Sequence, residues 1–468
     1  MQRSLRQAIQ SNKNLDGLRR FYDGIIYPIA VAVIIFISYA LGQELIGETI
    51  ILLMLAVALL VCSDLKPLFM PLLSFLFIVS PRHVHMAGAL AIYSDYYKNA
   101  VPYIVGLGVF MVAVFILRFV IWGGVRPLFT KKNSLGWWVL PLIISLMLNG
   151  IGNPDYTPKN LIIALLCIVC WYLVYLVFYH NLSRDKKTID HFFKTCMVIN
   201  GLLVSELVYV YISNGAFDDG IVTKSELFMG WGIQNNLGGI LTVLLPANVY
   251  FCFKERSLKR GVVFYLLCLF NLVATVFSLC RSAILVSFLL AFLSIIYILS
   301  KAPLKKLYAL MTAGLAAIVI LVVFIFFDRA MDFFDRLINI QSGSSGRFDL
   351  WLAAIEEFIK FPWFGSGFYA SRLNSYTGFF PGFYHNTIIE ITSTCGVFGI
   401  FGYCLYRVKT IEIIFKKRNF YSVFLGATVM ALLFGSLLDN HMFNVYPSFY
   451  AAIALALCHN DTPDGATP

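Results

Sequence analysis

Apolar runs of about 17 to 23 residues recur along the whole chain, and each matches the ~20 residues a helix needs to cross the hydrocarbon core of a bilayer. Stretches such as Ile25 to Gly42 and Leu307 to Phe327 are continuously apolar, unlike the ~10-residue alternating segments of a membrane barrel. Lipid offers no partner to a backbone amide, so spanning segments of this kind must be helices that satisfy their own hydrogen bonds. Charged residues make up 13% of the sequence, against roughly 25% in soluble domains. The expected fold is an all-α polytopic membrane protein of about 12 to 14 transmembrane helices.

Taken in order, the runs predict fourteen spans, near 25–41, 45–63, 67–80, 100–122, 134–151, 160–180, 192–213, 234–253, 261–280, 281–300, 307–327, 386–407, 420–437 and 443–459. The third is short enough to be re-entrant, and the break between the ninth and tenth rests on charge alternation. The basic segment from Met1 to Arg20 has no early apolar core and no small-residue cleavage site, so the first helix is expected to stay as an anchor. The organisation that follows is a set of N-terminal helices over 1–230, a transmembrane core over 231–327, a large non-membrane loop over 328–385, C-terminal helices over 386–459 and a short disordered tail over 460–468. Most of the ten cysteines lie in apolar runs, where a thiol behaves as a small hydrophobe. Cys167 and Cys170 have redox spacing without a redox context. Cys280 and Cys395 fall near predicted helix ends and alone are placed to meet the exterior.

Basic residues alternate between successive connections, as they do when cytoplasmic loops collect Lys and Arg. One set holds Arg19 and Arg20; Arg126, Lys131 and Lys132; Arg184, Lys186 and Lys187; Lys254, Arg256, Lys259 and Arg260; Lys301, Lys305 and Lys306; and Lys416, Lys417 and Arg418. Orientation therefore accounts for the net charge of +11 better than nucleic-acid binding, because the charge is dispersed and no groove-reading motif accompanies it. Both termini are expected in the cytoplasm and the 328–385 loop outside, with smaller outward loops at 81–99 and 214–231.

Within the large loop, Ser344 or Ser345 can cap a helix that Pro362 stops. Phe348, Trp351, Leu352, Ile355, Phe358 and Ile359 share one face of it, with Asp349, Glu356, Glu357 and Lys360 on the other, the pattern of a helix lying on a membrane surface. Arg347 stands at its positive end, where a phosphate binds well; pairing with Asp349 or another loop acid is the competing reading. Arg281 sits in FSLCRSAILVSFLL between apolar runs, where an arginine at a helix centre costs about 2.5 to 3.5 kcal/mol. It needs an anionic ligand or partner unless it snorkels to the headgroups. His385 opens the next apolar run, and histidine is the side chain best suited to accept a proton near neutral pH; a hydrogen-bonded structural role competes. Glu390, one turn below, is placed either to orient that imidazole or to face a neighbouring helix. Tyr384 and Trp351, with Trp363 and Tyr369, are candidates for stacking on sugars, against a packing role.

The order RSAIL at 281–285, SGRFDLW at 345–351, P-x-x-G-x-G from Pro362 to Gly367 and H-N-x9-G-x-x-G from His385 to Gly399, preceded by GIQNNLGGILTVLLP at 232–246, resembles the O-antigen ligase and polysaccharide polymerase superfamily over residues 230–405. The resemblance implies a GT-C-type membrane glycosyltransferase in the bacterial cytoplasmic membrane. Such an enzyme takes glycan from a polyprenyl (undecaprenyl) diphosphate donor and moves it to an acceptor, a lipid-linked repeat unit or lipid A core, on the outer face. It implies Arg281 and Arg347 on the diphosphate and His385 as activator of the acceptor hydroxyl, with Asn386, Tyr384, Trp351 and Glu390 as further substrate-binding candidates. Single displacement with inversion needs no covalent nucleophile, and the sequence has no D-x-D motif; neither metal nor other cofactor is expected. A transporter or flippase of a lipid-linked or anionic solute is the alternative from another class. It fits less well, because the polar signals gather on one face and no repeated halves are visible.

Overall fold

The computed structural model describes residues 2–78, 95–123, 134–183, 185–213, 234–325, 347–368, 384–416 and 419–460, with positions 327 and 331. They are predominantly helical, with no strand among them. The expected loops at 81–99 (apart from its last residues) and 214–231, most of 328–385 with Ser344, Ser345 and Tyr369, and the tail beyond Asn460 lie outside the described residues.

In chain order the helices are α1 Gln2–Ser11, α2 Asp16–Asp23, α3 Ile26–Leu41, α4 Glu44–Val61, α5 Phe69–Ile78, α6 Asp95–Trp122, α7 Ser134–Met147, α8 Asn160–Cys167, α9 Val174–Asn181, α10 Lys186–Ser213, α11 Gln234–Lys254, α12 Leu258–Phe277, α13 Arg281–Lys301, α14 Lys305–Ile325, α15 Arg347–Lys360, α16 Thr387–Lys416, α17 Phe420–Leu438 and α18 Val445–Asn460. Each of the fourteen predicted runs is helical. Nine helices among the described residues are long and apolar enough to cross a membrane, or ten if Lys13–Asp23 and Ile26–Leu41, bent by 63°, form one span. The remaining runs are also helical, α14 over 21 residues and α7 and α18 as shorter apolar helices.

α11 is the central helix, with 94% of its apolar window buried. Its first turns accept close neighbours through adjacent glycines. A Cβ on Gly238 would meet Cys280 and Ala283 at the start of α13, and one on Gly239 would meet the His441 ring. Small residues of this kind let helix backbones approach where lipid supplies no hydrophobic drive between helices. Deeper in, Asn271 bridges Asn200 at 2.7 Å and the Leu241 carbonyl at 3.0 Å, tying α10, α11 and α12 together. The same close packing corrects the cysteine expectation: Cys280 and Cys395 are both buried, and Cys404 is exposed.

α16 is two helical pieces. At Gly396 the backbone turns to φ 66°, ψ −157°, which would strand the carbonyls of Ser393 and Thr394 and the amides of Val397 and Phe398. The segment 362–367 takes all four: Val397 N donates to the Pro362 carbonyl at 2.8 Å and Phe398 N to that of Trp363 at 3.4 Å. In return Ser366 N donates to the Ser393 carbonyl at 2.8 Å and Gly367 N to that of Thr394 at 3.1 Å. The P-x-x-G-x-G and G-x-x-G motifs are thus two halves of one backbone junction, which meets the demand that buried polar backbone be paired. The patch is anchored in turn by Gly150 N on the Phe364 carbonyl at 2.9 Å and by Asn153 Nδ2 on that of Ser366 at 2.9 Å.

Candidate active site

The connection between α17 and α18 is short and carries Asp439, Asn440 and His441. Asp439 caps the C-terminus of α17 in extended conformation. It is buried. Its Oδ1 lies 3.0 Å from His385 Nδ1, and its Oδ2 3.7 Å from Arg347 Nη2. Arg347 also donates through Nη1 to the Leu438 carbonyl at 2.6 Å, and Asn386 Nδ2 to the Leu437 carbonyl at 2.7 Å. The last carbonyls of a helix have no partner within it and form its negative end; here they are used to seat a guanidinium and the residue after His385.

His385 takes φ 53°, a left-handed conformation uncommon outside glycine. Neighbours on both sides hold it there. The Tyr384 amide donates to Glu390 Oε2 at 2.8 Å, while the Tyr384 carbonyl accepts from Trp351 Nε1 at 2.9 Å. On the other side Asn386 Oδ1 caps α16, accepting from the amides of Ile388 at 2.9 Å and Ile389 at 3.2 Å. Glu390 Oε2 also accepts from Asn440 Nδ2 at 2.9 Å, so one carboxylate joins the residue before His385 to the residue after Asp439.

Six of the seven expected site residues therefore belong to one network: Arg347, Trp351, Tyr384, His385, Asn386 and Glu390. Their places differ in part from the expectation. The imidazole is held by Asp439, and Glu390 acts on the Tyr384 backbone because its carboxylate reaches that amide first. Among the described residues Arg347 is paired with Asp439 and not with Asp349. Glu357, expected on the polar face of α15, is buried beside Ala354, while Phe348, Leu352, Ile355 and Ile359 are exposed. Arg281 stands apart from the network. It is the first residue of α13, half-buried, next to Leu279 with φ 54°, and its side chain makes no hydrogen bond or ion pair among the described residues.

Asp439 is the residue that sequence reasoning missed. Burial alone would raise its carboxyl, but the His385 hydrogen bond, the charges of His441 and His385 and the Asn440 amide outweigh burial and hold it down at about 2. His441 is buried, and burial pushes its imidazole below the ordinary range. The depressed acid predicts a stability term present above pH about 4 and lost as pH falls through about 2. Acid unfolding of the detergent-solubilised protein should show a loss of about 2 kcal/mol in that window, and Asp439→Asn should remove it. An unchanged acid profile in that variant would contradict the pairing.

The arrangement is a part-exposed imidazole held by a buried carboxylate, with the Arg347 guanidinium on the other oxygen of that carboxylate. Residues 265–404 match the family model described as O-antigen ligase, and this stretch carries Arg281, Arg347, His385 and the Gly396 break. Over that stretch the chain is similar to the O-antigen ligase and polysaccharide polymerase superfamily, whose members work in membranes on lipid-linked polysaccharide. Asp439 lies beyond the matched residues. No curated protein matches the chain.

Proposed function

We propose that the protein is a membrane glycosyltransferase that moves glycan from a polyprenyl diphosphate donor to an acceptor hydroxyl on the outer face of the bacterial cytoplasmic membrane, as a surface-polysaccharide polymerase or O-antigen ligase. The His385–Asp439–Arg347 network is the observation that carries this reading. With Nδ1 engaged by the carboxylate, the His385 tautomer that donates from Nδ1 leaves the Nε2 lone pair free to accept a proton. The acceptor oxygen attacks the anomeric carbon from the face opposite the diphosphate, its proton passes to Nε2, and the C–O bond to the diphosphate breaks with the electron pair leaving on the phosphate oxygen. Arg347 and Arg281 meet the charge that develops there. The free guanidinium of Arg281 suits that role, and the exposed apolar face of α15 suits a helix lying against lipid.

Two arginines on a leaving diphosphate supply the electrostatic stabilisation that a divalent ion gives elsewhere, so turnover should persist in excess EDTA. Activity abolished by EDTA and restored by magnesium would overturn that step. The decisive assay supplies purified protein with a lipid-diphosphate-linked oligosaccharide and each acceptor in turn. A lengthened lipid-linked chain marks a polymerase and glycan on lipid A core a ligase; no product with either acceptor would overturn the reading.

A further inference from the structure

Beside the connector that carries Asp439 is a small cavity lined by Trp171, Tyr406, Arg407, Leu432, Met442 and Ser448, with about 10 Å³ open to the centre of a water-sized sphere, room for a single small particle. Arg407 lies within the membrane-spanning part of α16, where a charged side chain marks a functional position by default. No carboxylate pairs with it among the described residues. Its Cζ stacks over Tyr403 at 4.6 Å and Tyr406 at 5.0 Å, and Nη2 reaches the Met442 sulfur at 2.9 Å, a weak acceptor. Nε is buried with no partner among the described residues.

The same lining supplies a second unmatched donor among the described residues. Residues 168–173, between α8 and α9, form a π-helical turn, a geometry frequent at functional positions, and it sets Trp171 on Tyr406 with ring centroids 5.5 Å apart. Trp171 is only 5% exposed, lines the cavity, and its Nε1 has no partner among the described residues. An indole N–H and a guanidinium N–H can only donate. A water would bring two more protons to a wall whose unmatched atoms are donors, and it would leave the arginine charge uncompensated.

We propose that this cavity is a halide site in which one chloride accepts from Trp171 Nε1 and Arg407 Nε and neutralises the arginine within the membrane. Because Met442 and the Ser448 hydroxyl, bonded to the His441 and Met442 carbonyls at 3.0 Å, belong to the same wall, the ion secures the connector from behind. The site is independent of the transferase reading. Purified protein is titrated with sodium chloride replacing sodium gluconate at constant ionic strength, and the thermal midpoint is followed. A saturable upward shift, reproduced by sodium bromide and absent in Trp171→Phe, is expected. Crystals grown in bromide should show one anomalous peak between the two nitrogens. Equal midpoints in chloride and gluconate, or water without bromide in the cavity, would overturn the proposal, and the wild-type measurements decide it even if the variant does not fold.

Discussion

Alanine at position 385 should lower turnover by about two to four orders of magnitude, the usual contribution of a positioned proton acceptor, while donor binding stays close to wild type. The separation follows from the geometry: the arginines proposed to hold the diphosphate do not depend on the imidazole, since Arg347 is seated by the Leu438 carbonyl and Asp439. Steady-state rates with varied donor should therefore show a collapsed kcat and a nearly constant KM. Asp439→Asn should give a smaller loss, because the amide still offers an oxygen to Nδ1 but can also turn its NH2 toward the ring and trap the wrong tautomer. A His385→Ala protein with full kcat would remove the base from the mechanism.

The second large effect is on folding. A Cβ on Gly365 would lie 2.2 Å from the Thr394 carbonyl carbon, and one on Gly396 would lie 2.5 Å from that of Trp363. Both glycines have positive φ, 69° and 66°, and in each case the clash is with backbone, which cannot swing aside as a side chain can. Left-handed strain costs about 1 to 3 kcal/mol, and forcing the two strands of the junction apart strands four backbone groups in an apolar setting at further cost. Gly365→Ala and Gly396→Ala should each destabilise the protein by roughly 3 kcal/mol or more. Thermal unfolding in detergent and recovery of monodisperse protein measure it; a Gly396→Ala protein with the wild-type midpoint would show that the junction is dispensable.

Where the helices lie could be read from hydropathy, because a run of ~20 apolar residues has one solution in lipid. His385 and Arg347 could be read because polar residues are scarce enough in this chain for each to need a reason. Asp439 could not: it sits in a connector so short that it reads as a turn between 420–437 and 443–459. Its signal, the consecutive Asp439, Asn440 and His441, becomes meaningful only once α17 and the start of α16 are seen to meet. The same limit hid the break in α16. Gly396-x-x-Gly399 reads as small residues in a continuous helix, and the segment that repairs the break is some thirty residues earlier. Hydrophobic periodicity reports local structure and has no access to a pairing of backbones across that distance.

The junction also couples the two ends of the His385 network mechanically. Through four hydrogen bonds it welds the segment following α15 to the helix that His385 precedes, and Trp351 adds a fifth tether to the Tyr384 carbonyl. The arginine at one end of this unit and the imidazole at the other are then parts of a single lever. Loosening one end displaces the other, so on the proposed function any hinge that admits a glycan lies outside 347–368 and 384–398.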